Sequence, residues 1–156
     1  MRLPILALAL LLPIGPAFAQ QSTPRQMMEE MGLAPSRQDV ARAVERARDR
    51  PLGTAANPVR VSGPGGEHGY IARLRCADGN APHVGERHND GVGVFGTIVD
   101  VWLLDCGDSA PGRFELVMDM YHDDHEEVQA PAGFTLTPSR DGESGDKPAA
   151  PAEPIA

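Results

Sequence analysis

The sequence predicts a small α+β fold: an antiparallel β-meander of three to four strands with one N-terminal helix and one disulfide. Three observations lead there. Period-two runs rich in β-branched and apolar residues fill the middle of the chain, a stretch before residue 51 repeats at helical spacing, and there are two cysteines, Cys76 and Cys106.

The helical element comes first. After a polar lead-in, residues 25–33 carry Met27, Met28 and Met31 with Glu29 and Glu30, enough for a short helical turn or two. Ser36 opens a cleaner helix, with Asp39 three residues on in a capping arrangement. Val40, Ala43, Val44 and Ala47 recur at i, i+3, i+4 and i+7 as one thin apolar stripe, and Pro51 with Gly53 stops it. Arg42, Arg46 and Arg50 form a row along this helix that reads as a solvated face. Residues 59–61 form a short extended piece, closed by Gly63-Pro64-Gly65-Gly66.

The strands follow. In residues 69–76, period-two spacing places Tyr70, Ala72, Leu74 and Cys76 on one face and Arg73 and Arg75 on the other. Asp78-Gly79 marks a turn, and the polar, glycine-bearing residues 80–93 read as a loop. Residues 95–106 give the strongest strand signal, apolar on both faces and therefore internal. After a connection containing Pro111, residues 113–122 alternate Phe114, Leu116, Met118 and Met120 against Glu115, Val117, Asp119 and Tyr121. These last two runs predict a hairpin. The helix from Ser36 is expected to cover one face of the sheet.

Four segments result: residues 1–19 as a signal peptide, 20–51 as a helical segment, 52–128 as a disulfide-linked β-rich domain, and 129–156 as a disordered Pro/Ala/acidic tail. The signal peptide rests on Met1-Arg2, the apolar residues 3–14 and the small-x-small site Ala17-Phe18-Ala19. Its apolar run is shorter than the roughly 20 residues a spanning helix needs, so no stable membrane insertion is expected after cleavage at Gln20. Export places Cys76 and Cys106 in an oxidising compartment, periplasmic or extracellular, where a single bridge is the simplest outcome. The formal net charge of −8 disfavours nucleic acid and anionic lipid as partners and favours cations or a basic protein surface.

Residues 118–127 form the most suggestive chemical cluster. Alternation on a strand would present Met118, Met120 and His122 together, with His125 just beyond. Thioethers suit Cu(I), whereas imidazole and carboxylate suit Zn(II), Cu(II) or Ni(II), and copper or zinc is the metal expected. The same methionines also fit the core face of an amphipathic strand. His83, His88 and Asp90, and His68 beside Glu67, match no ligand spacing and read as loop residues. Gly91, Gly93 and Gly96 match G-x-G-x-x-G, but a loop precedes them and a β-rich run follows, so a dinucleotide site is rejected. G-x-S-x-G and H-E-x-x-H are lacking, and oxidised cysteines leave no thiolate nucleophile. Asp100 and Asp119 could face one another across the hairpin, although two exposed or edge carboxylates are the simpler reading.

Leu52-Gly53, Asn57-Pro58-Val59-Arg60, Gly63-Pro64, Gly66-Glu67, Tyr70, Leu74-Arg75-Cys76, Asp78-Gly79 and Met118-Asp119-Met120-Tyr121-His122 form a recognisable set. On these residues the chain resembles a group of small exported bacterial proteins to which no activity is attached. The resemblance implies a folded unit from Leu52 to about residue 128 and carries no site residues. The expectation is therefore a non-enzymatic accessory or interaction protein of the bacterial envelope, without cofactor, acting on an envelope or extracellular protein. The alternative is a periplasmic copper- or zinc-binding protein using Met118, Met120, His122 and His125.

Overall fold

A computed structural model describes residues 22–139. The expected signal peptide and the part of the expected tail beyond residue 139 lie outside them. The architecture is α+β, with three helices, a mixed four-stranded sheet, a two-stranded sheet and one disulfide.

The N-terminal segment folds as two helices where a single full helix is expected. Helix α1 spans Pro24–Glu30 behind a Thr23 cap, whose hydroxyl accepts the Gln26 N–H while Gln26 Oε1 accepts the Thr23 N–H. Helix α2 spans Arg37–Ala47, and Ser36 caps it by accepting the Asp39 N–H, as the spacing predicts. Its stripe is as thin as the sequence suggests: Ala43 and Ala47 are buried against Phe95, with Val44 alongside. So α2 packs on the turn before the central strand, and the covering of the main core falls to another helix.

That helix is α3, Gly63–Arg73, followed by the two-residue strand β2, Leu74–Arg75. The expected strand over residues 69–76 is thereby corrected. Its apolar pattern also satisfies a helical repeat: Gly63, Glu67, Tyr70 and Ile71 are the buried positions of α3, at i, i+4, i+7 and i+8, whereas Ala72 is exposed. Three internal glycines, Gly65, Gly66 and Gly69, lower helix propensity and mask the pattern. Gly63 itself has φ +62°, which a side chain resists.

The large sheet runs β1 (Val59–Arg60), β5 (Arg113–Asp119), β4 (Ile98–Asp105), β3 (His83–Val92). The β4–β5 hairpin is the one predicted, in the register Asp100↔Met118, Trp102↔Leu116, Leu104↔Phe114. The third meander strand is β3, the stretch expected as a loop. Every residue of β3 is exposed, and its place in the sheet comes from backbone pairing to β4, which burial patterning cannot register. Its register shifts between Val84 and Arg87 and again between Asn89 and Val92, the kind of bulge that guards an edge strand. Strand β1 runs parallel to β5, so the sheet is mixed and not purely antiparallel.

The main core lies between α3 and one face of this sheet. Tyr70, Ile71 and Leu74 pack with Val59, Trp102, Leu104, Leu116 and Met118. Phe134 joins them, and strand β6, Thr135–Leu136, pairs with β2. Residues 129–139 thus belong to the folded unit, a correction to the expected tail; one buried aromatic and two strand residues escape a compositional reading. The opposite face carries a smaller cluster, Val99, Val101 and Val117. Cys76 and Cys106 form the predicted disulfide, Cα atoms 5.9 Å apart, joining the chain just after β2 to the end of β4.

Candidate functional site

Two features stand out, an open cleft and a buried charged cluster, and α3 takes part in both. The cleft has a volume of about 910 Å³ and lies between α3 and residues 123–127, with residues 137–139 at its end. Gly66, Gly69 and Ala72 give α3 a smooth wall there, and a side chain at Gly69 would meet nothing within 4 Å. Basic groups come from Arg73 and Arg75, acidic ones from Asp123, Asp124, Glu126 and Glu127.

Most of these charges already have partners. Arg73 Nη1 donates to Glu126 at 3.1 Å and its Nε donates to the Thr137 carbonyl. Arg75 Nη1 donates to the Ala72 and Leu74 carbonyls. Glu127 Oε1 accepts the Val128 and Gln129 N–H groups, and Oε2 lies 3.3 Å from His125 Nε2. Asp124 meets Arg37 at 3.2 Å in an exposed pair. Asp123 accepts the Thr23 hydroxyl on Oδ2 at 2.6 Å, but its Oδ1 is buried and has no partner among the described residues. The lining therefore carries an acidic excess with one carboxylate oxygen unsatisfied.

The charged cluster lies under the opposite side of α3. Glu67 occupies a core position of the helix and is 0% exposed, with both carboxyl oxygens unpartnered. Asp100 projects from β4 on the same sheet face as Trp102 and is also buried. Arg87, on β3 in register with Trp102, donates from Nη2 to Asp100 Oδ2 at 2.6 Å, and its Nε is 3.7 Å from Glu67 Oε2. The guanidinium also lies 5.7 Å from the Trp102 ring centre, and the His68 ring meets that indole edge-on. Burial first, and then the neighbouring Asp100 charge, push the Glu67 carboxyl up to about 7, while Arg87 pulls the other way.

The residues proposed from sequence as metal ligands do not gather. Met118 is 0% exposed within the main core, and Met120 packs against that core. His122 is buried with its ring edge-on to Phe95, and its Nε2 is 3.4 Å from Asp119 Oδ2. His125 is half-buried beside Glu127, its pKa lowered by burial and then by Arg60. Strand β5 ends at Asp119, so the alternation that would carry Met118, Met120 and His122 to one side stops before the histidine. No group of three or more His, Cys, Asp or Glu among the described residues is arranged to hold an ion.

Asp100 and Asp119 do not face each other either, nor are they exposed or at an edge: both are buried on the central strands β4 and β5. Asp100 is in register with Met118, which sends Asp119 to the opposite face. There Asp119 Oδ2 accepts the buried Thr97 hydroxyl and Oδ1 accepts the Tyr121 N–H. The sequence reading missed Glu67 and Arg87 because it assigned both to loops. The signal that finds Glu67 is its position on the Gly63, Tyr70, Ile71, Leu74 helical stripe.

No protein-family model, no curated protein and no solved structure matches this chain.

Proposed function

We propose that the chain is a non-enzymatic interaction protein of the bacterial envelope, and that its cleft holds a basic, extended segment of a partner protein. The observation that supports this reading most is the acidic excess of an open cleft whose Asp123 Oδ1 has no partner. A Lys or Arg side chain entering there would meet the exposed carboxylates of Asp124 and Glu126, and the smooth α3 wall leaves room for a backbone to lie close. The overall charge of −8 adds long-range attraction for such a partner.

The buried Glu67 carboxyl, beside Asp100, does not line the cleft, which favours binding over catalysis there. The copper or zinc alternative draws less support, since two of its four ligands are packed in or against the core.

Titrating the protein with a ten-residue Lys/Arg-rich peptide, followed by NMR, tests the reading. Shifts should map to residues 66–75 and 123–127, weaken with added salt, and fall at least fivefold in affinity in Asp123→Asn with Asp124→Asn. An acidic peptide that binds as well, or shifts that map elsewhere, would overturn it.

A further inference from the structure

Glu67 and Asp100 are two buried carboxyl groups served by one guanidinium. If both are ionised, the space under α3 holds one uncompensated, buried negative charge, an expensive arrangement. We propose that this cluster is a pH-dependent latch: α3 lies closed on the sheet while Glu67 is protonated, and loosens when Glu67 ionises, opening the cleft wall that α3 forms.

Each packed element sets a charged or titratable group near Glu67. Strand β3 brings Arg87, β4 brings Asp100, the segment after β5 brings the Tyr121 phenol, and α3 itself carries His68 next to Glu67. Arg87 alone supplies permanent positive charge, and its closer contact is with Asp100, at 2.6 Å against 3.7 Å for Glu67. Glu67 is therefore the member left holding the proton. Its carboxyl is raised to about 7 from an ordinary 4.5, so the folded chain keeps a proton that the unfolded chain gives up. The stabilisation is fully present below about 4.5 and is lost as pH rises through about 7.

The helix gives way before the sheet does because it is the weaker partner. Ser62 makes no side-chain cap to α3, and Gly65, Gly66 and Gly69 lie inside it. Strand β4, by contrast, is paired on both sides. One wall of the cleft is the far side of this helix, so loosening α3 alters the surface assigned to the partner; that consequence, though not the latch, rests on the reading of the cleft given above.

Hydrogen exchange of the folded chain, corrected for the intrinsic pH dependence of exchange, tests the latch without any ligand. Protection of amides 66–71 is expected to fall about tenfold between pH 6 and pH 8 in the wild type. In Glu67→Gln, which mimics the protonated form, it should stay level. In Asp100→Asn the fall should shrink and move to lower pH, because Arg87 is then left to compensate Glu67 and only burial still raises it. Level protection in the wild type, or an equal fall in Glu67→Gln, would overturn the latch. The basic peptide is then titrated into the same samples. A pH-dependent α3 with no peptide binding sinks the cleft reading alone; peptide binding with an unresponsive α3 sinks the latch alone.

Discussion

The two faces of the sheet each bury a carboxyl group on a central strand, and they treat it in opposite ways. On the far face, Asp119 of β5 has both oxygens occupied, by the Thr97 hydroxyl and the Tyr121 N–H, with Arg60 as its register partner on β1. On the α3 face, Asp100 takes the best bond Arg87 can give, and Glu67 above it has none. All three carboxyls are buried. What differs is the number of donors, and that number decides whether a buried acid fastens the fold or makes it responsive to pH.

The largest expected effect breaks the fastened side. Asp119→Ala leaves the Thr97 hydroxyl and the Tyr121 N–H unpaired in a buried site, and should cost about 3–5 kcal/mol in urea unfolding. Glu67→Gln, the matching change on the other face, removes a charge that lacks partners and should be neutral or stabilising at pH 8. Equal losses from the two substitutions would erase the contrast. The pH profile sharpens it further. His125, with a pKa lowered by burial, contributes stability that is present above its usual value of 6.5 and is lost as pH falls. Its trend opposes that of Glu67 over the same range, so the difference between wild type and Glu67→Gln isolates the latch.

Next comes the bridge that joins the two regimes. Cys76 lies just beyond α3 and β2, and Cys106 ends β4, so the disulfide ties the weakly held helix side to the central strand. Closing a separation of 30 residues is worth about 3–4 kcal/mol in the chain-entropy view. Cys76→Ser with Cys106→Ser should lower stability by that amount. Protection of α3 should fall further than protection of β5; a uniform loss would mean that the two faces are not separately held.

The same asymmetry governs how much of the molecule was legible beforehand. Elements whose burial follows one clear period were read correctly: α2 with its Ser36 cap, the β4–β5 hairpin, and the disulfide. Strand β3 was illegible because all ten of its residues are exposed and only its backbone bonds place it. Helix α3 was illegible because glycine lowers its propensity and its residues 70–76 also fit period two. The site was lost with them, since Glu67 is meaningful only once α3 is a helix and Arg87 only once β3 is a strand. Phe134 shows the limit of composition: one aromatic in a polar stretch anchors residues 129–139 to the core.

The smallest expected effect probes α3 directly. Gly69 is exposed in the middle of the helix, lacks the positive φ found at Gly63, and has open space where a Cβ would stand. Gly69→Ala should therefore stabilise the protein by about 0.5–1 kcal/mol, through reduced freedom of the unfolded chain and better helix propensity. The gain should appear as slower exchange across α3 at every pH, without moving the pH at which protection falls, because the Glu67 environment is untouched. A shifted midpoint would mean that helix strength and ionisation are one property of this face. An unshifted one would make the glycines the setting for how firmly α3 is held, and Glu67 the setting for when it lets go.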